Sequence, residues 1–190
     1  MSINPIEIKG NWDKGFVLDK HILSSVCVGE DVYGHPRFDN TYTELGNLIF
    51  QLKNRNAYDN VNKILEIIKP FLDDFAELKE VDIVLSVPPS KERCFQPARE
   101  LACAIAEYLK VYYVDGVLEK ISPEQSKNMD KDAKNLKGCI IKKQNAKKEH
   151  KILLIDDLYS TGATITECVE VLKTDPLLTK VYVVVMTKTR

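Results

Sequence analysis

A chain of 190 residues fits one domain of ordinary size. At that length it can bury about 70% of its unfolded surface, so it needs no disulfide or metal staple. With 44% hydrophobic residues, 29% charged residues and a formal net charge of −1, it has soluble globular composition, which excludes a global electrostatic drive toward nucleic acid or an anionic membrane.

No apolar run approaches the roughly 20 residues needed to span a bilayer. The start, MSINPIEIKGNW, has neither a basic leader nor an apolar run of export length. Five cysteines (Cys27, Cys94, Cys103, Cys139 and Cys168) are scattered without a Cys-x-x-Cys pair. That spacing predicts reduced thiols rather than zinc ligands, and a cytoplasmic location.

In chain order, Ile6–Lys9 and Gly15–Leu18 are expected to be extended, with Asp19-Lys20 turning the chain into His21–Val28. Glycines and a proline make 29–37 a loop, so a β-hairpin lobe is predicted. Thr41 or Thr43 can cap a helix whose stripe is Leu45, Leu48, Ile49 and Leu52. A second helix is expected from about Tyr58 to Leu72, tightened or ended near Pro70.

From residue 81 the pattern alternates. VDIVLSV (81–87) predicts a strand, PPSKER a proline-marked loop, and Ala98–Leu109 a helix. Strands are expected at 111–114, 138–141, 151–155 and 181–186, with a helix over Ile165–Leu172. Apolar strands alternating with helices predict an α/β fold, a parallel sheet covered on both faces, with ligand chemistry at the carboxyl ends of its strands. The organisation expected is a single domain, 1–190, with an N-terminal hood-like β-hairpin/helical lobe (1–55) and an α/β core (80–190). Residues 115–137 are a long polar stretch of the kind that forms lids. The run KKQNAKKEHK (142–151) reads as a solvated connection rather than a nucleic-acid patch.

The chemistry concentrates in ILLIDDLYSTGAT, residues 152–164. Four apolar residues bury a strand, and Asp156 and Asp157 follow at its carboxyl end. Ionised carboxylates are acceptor-only groups suited to vicinal sugar hydroxyls. Ser160, Thr161, Gly162, Ala163 and Thr164 then supply hydroxyls, a close backbone approach and the first turn of a helix, which is a ready anion site. The plainer interpretation is a strand end followed by a capped turn. A Walker B strand also ends in acids, but it requires a Gly-x-x-x-x-Gly-Lys-[Ser/Thr] loop that this sequence lacks.

This joined pattern resembles the phosphoribosyl-pyrophosphate signature of type I phosphoribosyltransferases, and within them the ComF-like branch without its N-terminal zinc module. SVPPSKER (86–93), FQPARELACAIAEYL (95–109) and LEKISPEQSKNMDKDAKNLKGCI (118–140) match the family's pyrophosphate loop, following helix and catalytic loop. The resemblance implies a type I phosphoribosyltransferase-like sheet. It also implies transfer of ribose 5-phosphate from phosphoribosyl pyrophosphate to a nucleobase-like acceptor, with Mg²⁺. Asp156 and Asp157 would contact the ribose and hold Mg²⁺ through water. Ser160 to Thr164 would cradle the 5-phosphate; Ser90, Lys91 and Arg93 would face pyrophosphate; Lys120, Ser126 and Lys127 would bring charge from the loop. The family's arginine before the loop asparagine is replaced by Asp130-Lys131-Asp132-Ala133-Lys134. In place of a zinc module stands the lobe around Trp12, His21, Tyr33, Phe38 and Tyr42, a hood that would select the acceptor, although Trp12 and Tyr42 individually read as core-packing residues first. A non-catalytic regulatory or DNA-uptake and repair accessory protein is the alternative, and a homodimer is compatible with either.

Overall fold

The computed structural model describes residues 3–55, 57–89, 95–121 and 139–189. The chain opens with β1 (Ile6–Glu7) and β2 (Lys14–Lys20), then a hairpin of β3 (Ile22–Glu30) and β4 (Pro36–Tyr42). Helices α1 (Glu44–Asn54) and α2 (Asn60–Asp74) follow. After a 3-10 turn at Ala76–Glu80 come β5 (Ile83–Ser86), α3 (Pro97–Leu109) and β6 (Tyr112–Tyr113). A short hairpin of β7 (Leu118–Lys120) and β8 (Ile140–Lys142) leads to β9 (His150–Tyr159), α4 (Ala163–Leu172) and β10 (Leu178–Lys188).

The central sheet runs β1-β2-β10-β9-β5-β6, with every pairing parallel except β1 with β2. Its strands are apolar on both faces because both are covered. Leu153 and Ile155 of β9 pack with Leu45, Ile49, Ile64, Leu101 and Ile105 from α1, α2 and α3. Ile152 and Leu154 pack with Ile165, Cys168 and Val169 of α4. No helix among the described residues is long and apolar enough to cross a membrane.

Several elements differ from expectation. Strand β9 continues through both acids to Tyr159, because β10 pairs with it as far as Lys188↔Tyr159. Helix α2 passes through Pro70 to Asp74, held by burial of Leu72 and closed by the Phe75 N–H donating to the Phe71 carbonyl at 2.9 Å. The polar stretch begins with an unpredicted strand, β7, whose pairing with β8 joins Leu118↔Lys142 and Lys120↔Ile140.

The N-terminal segment divides between core and surface. Strand β2 lies beside β10, so Val17 and Leu18 are fully buried. Trp12 takes the core-packing role expected of it, in the α4-side core: it is buried, and its indole N–H donates to the Ile8 carbonyl at 2.9 Å. The hairpin carrying Tyr33 and Phe38 is exposed on both faces.

The run 142–151 is tied down more than expected. Lys142 pairs with the buried Asp175 at 3.0 Å, Lys143 with Glu119 and Lys151 with Glu80 at 2.6 Å each.

Connections diverge between β5 and β9. From β5 the chain passes through α3 to β6 on one side, and from β9 through α4 to β10 on the other. Such a switch point opens a crevice at the strands' carboxyl ends. Here β5 ends with Ser86 opposite Ile155, while β9 runs on beside β10. Beyond Ile155 the β5 side of the strand is open, and Asp156 is the first residue past that point.

Candidate active site

A cavity of about 370 Å³ fills the crevice. Its walls come from the end of β5, the start of α3, residues 114–118, Lys120, Asp156, Asp157 and Lys53 of α1. A smaller hollow of about 70 Å³ adjoins it, lined by Asp156, Leu158 and the whole turn from Tyr159 to Ile165. Asp156, Leu158 and Thr164 line both, so the two hollows share a wall.

The smaller hollow lies against the hydroxyl-rich turn at the amino end of α4. Gly162 sits at φ 80, a conformation that disfavours side chains, and a Cβ there would overlap the Tyr159 ring. That glycine is the N-cap of α4 and offers no side-chain cap. The first N–H groups of a helix have no partner within it and carry the positive end of its dipole. The Thr161 hydroxyl accepts from the Ala163 N–H at 3.3 Å, and Ser160 and Thr161 are exposed beside it.

The two acids are turned apart by the strand pleat. Asp157 follows Leu153 and Ile155 onto the α1 face, where its carboxylate meets the Lys53 ammonium at 3.0 Å. Asp156 follows Ile152 and Leu154 onto the α4 face, and its carboxylate accepts the Asp157 backbone N–H at 2.8 Å. Burial, then the neighbouring Asp157 charge, pushes the Asp156 carboxyl well above its ordinary range, against the pull of that N–H and of Lys53.

Around Asp157 lies a second layer. The Thr187 hydroxyl reaches the Asp157 carbonyl at 3.4 Å and the His21 Nδ1 at 2.9 Å. Burial and then Lys53 lower the His21 imidazole below its usual value, with Asp157 opposing them. His21 packs edge-on against Tyr42, whose ring lies 5.0 Å from Phe50 of α1. These contacts bind the base of the β3–β4 hairpin to the acid pair.

At the far end of the cavity, Arg99 pairs with Asp115 at 3.0 Å. The Tyr113 hydroxyl donates to Asp115 at 3.2 Å and lies 3.0 Å from the Ser86 hydroxyl. Burial raises the Tyr113 phenol to about 12.

Of the residues predicted from the sequence, Asp156, Asp157, Lys120 and Ser160 to Thr164 converge on these two hollows. Ser90, Lys91, Arg93, Ser126 and Lys127 lie outside the described residues. Sequence reasoning missed Lys53, Arg99, Tyr113 and Asp115. A signal for Lys53 was present: it lies four residues after the fully buried Ile49, on the packed stripe of α1. A lysine on that stripe needs an anionic partner.

No protein-family model and no curated protein sequence matches the chain. Among solved structures, an adenine phosphoribosyl transferase from Trypanosoma brucei, in complex with AMP, pyrophosphate and ribose-5-phosphate, is similar at TM-score 0.50 and 19% identity. That match covers 99% of this chain and 76% of that one. The chain has the type I phosphoribosyltransferase fold. Orotate phosphoribosyltransferase from Aeropyrum pernix matches at TM-score 0.43 and 14% identity, over 86% of this chain and 74% of that one. UMP synthase from Leishmania donovani matches at TM-score 0.41 and 18% identity, over 83% of this phosphoribosyltransferase-fold chain but only 27% of its own length.

Proposed function

We propose that this chain transfers ribose 5-phosphate from phosphoribosyl pyrophosphate to a nitrogenous acceptor of nucleobase type. The observation that carries the reading is the pair of adjoining hollows with Asp156 on their common wall. A 5-phosphate fits the hydroxyl-rich turn at the amino end of α4. The ribose hydroxyls then fall to Asp156 and Asp157, and the pyrophosphate to the end of the cavity walled by residues 86–89 and 96–99. Ser90, Lys91 and Arg93 follow that wall in sequence and supply it with hydroxyl and cationic groups. Lys120 and Lys127 belong to the 115–137 stretch that would close to exclude water, and would bring charge from it. The bond from C1 to the pyrophosphate oxygen breaks, a bond from C1 to the acceptor nitrogen forms, and that nitrogen's proton is lost.

The donor set suits Mg²⁺. No group of three or more His, Cys, Asp or Glu side chains among the described residues could hold a metal ion alone. Mg²⁺ is commonly bound through one or two carboxylates together with water and substrate phosphates, which is what Asp156, Asp157 and a pyrophosphate would offer. When bound, it would neutralise charge on the departing pyrophosphate. The ComF-like affiliation, the cytoplasmic location and a homodimer belong to this proposal, the first on the resemblance carried by residues 86–93, 95–109, 118–140 and 152–164.

A second reading, a binding module that signals without turnover, is favoured by the Arg99–Asp115 pair, which engages the one arginine among the described cavity residues. Mixing the protein with phosphoribosyl pyrophosphate, Mg²⁺ and a panel of bases separates the two. Pyrophosphate release with one base is expected of the transferase; tight binding without release is expected of the module. Calorimetry on Asp156→Asn and Asp157→Asn tests the site itself. Each should lose ligand affinity about tenfold or more, and undiminished Mg²⁺-dependent binding in both would overturn the assignment.

A further inference from the structure

Lys53 reaches the cavity from α1 and meets Asp157 there, with 33% of its side chain exposed against 11% for Asp157. The pleat of β9 sends Asp156 to the opposite face, so the two neighbouring carboxylates have different surroundings. Asp157 is walled by Lys53, by Thr187 behind its carbonyl and by His21 behind Thr187. Of the two acids, only Asp156 lines both hollows. The Lys53 ammonium sits on the Asp157 carboxylate and cancels the charge that a divalent ion would meet on that side.

We propose that Lys53 is the positioning residue of the acid pair, a resident cation on Asp157 that confines any divalent ion to the Asp156 side and admits it only with a phosphorylated ligand. The Coulomb argument is direct. An ammonium a few ångströms from the ion's place repels it, weakening its binding about tenfold or more. Phosphate oxygens brought by the ligand overcome that repulsion; protein groups on the Asp157 side do not. This deepens the sugar-phosphate reading, yet its metal arm needs no ligand, so failure of one is distinguishable from failure of the other.

The experiment uses the full chain and Mn²⁺ alone, followed by water-proton relaxation. The wild type should bind Mn²⁺ weakly, and Lys53→Met should bind it about tenfold more tightly or better. Lys53→Arg should behave as wild type, since it restores the cation. In the double variant Lys53→Met/Asp157→Asn the gain should vanish, because the freed carboxylate is gone. Lys53→Gln is the second removal variant, and thermal melts establish that each variant is folded. Tight ligand-free Mn²⁺ binding by the wild type overturns the proposal, as does an unchanged affinity in a folded removal variant. Loss of phosphoribosyl pyrophosphate binding in every variant and in the wild type would instead sink the functional reading and leave the role of Lys53 standing.

Discussion

At the scale of the residue, Asp156 couples function to stability. Its carboxyl is raised in the folded state by burial and by Asp157, so the folded chain holds that proton more tightly than the unfolded chain does. The stability this contributes is complete below the ordinary value of 3.8 and is lost as pH rises through the raised one. Asp156→Asn should therefore raise the melting temperature of the free protein by several degrees in mildly alkaline buffer. The gain should disappear on acidification below the ordinary carboxylate range, a comparison that calorimetry at two pH values makes directly. Under the proposed function the same substitution would also remove a ligand contact, the usual conflict between a functional site and a stable fold. Both acids were legible in the sequence because they interrupt an apolar run. Lys53 was harder to find, since its partner lies far along the chain and meets it only once α1 has docked.

Among the elements, α1 does the most to position the site, and its start is defined by one threonine. Of the two candidates the sequence offered, Thr43 is the N-cap: its hydroxyl accepts the Gly46 N–H at 2.9 Å and donates to the Lys20 carbonyl at 2.6 Å. Gly46 completes the join, because a Cβ there would overlap the His21 carbonyl. One side chain thus ties the amino end of the helix to the end of β2. Thr43→Ala should cost about 1–2 kcal/mol in urea unfolding, with Thr43→Ser retaining most of it. The β7–β8 hairpin is anchored in a similar way, the Glu167 carboxylate of α4 accepting the Ile140 N–H at 2.8 Å. Strand β7 showed no pattern of its own; three residues are too few for periodicity to register, and its pairing with β8 defines it.

For the whole molecule, the N-terminal segment has two separable duties. Strand β2 covers the edge of β10 and buries Val17 and Leu18, so deleting residues 1–20 should abolish cooperative thermal unfolding. The β3–β4 hairpin stands clear of the core, with Leu23, Val26, Tyr33 and Phe38 exposed. Replacing residues 23–41 by a tight turn should keep a cooperative transition with only a small fall in melting temperature. If the hairpin selects the acceptor, that replacement should change the pattern of bases that release pyrophosphate. Differential scanning calorimetry and the base panel read the two effects separately.

Local chemistry was enough to reveal the alternation of strands and helices and the acid-hydroxyl turn of 152–164, because each is written in neighbouring residues as periodicity, turn chemistry or adjacent charge. The placement of β2 in the central sheet, the burial of Trp12, the pleat that parts Asp156 from Asp157 and the arrival of Lys53 between α1 and β9 depend on which surfaces meet. Those are long-range pairings: β2 needs β10 as a neighbour, and Lys53 needs β9 to extend past β5. A carboxylate pair can be recognised from its own letters, but the cation that divides its duties is chosen by packing.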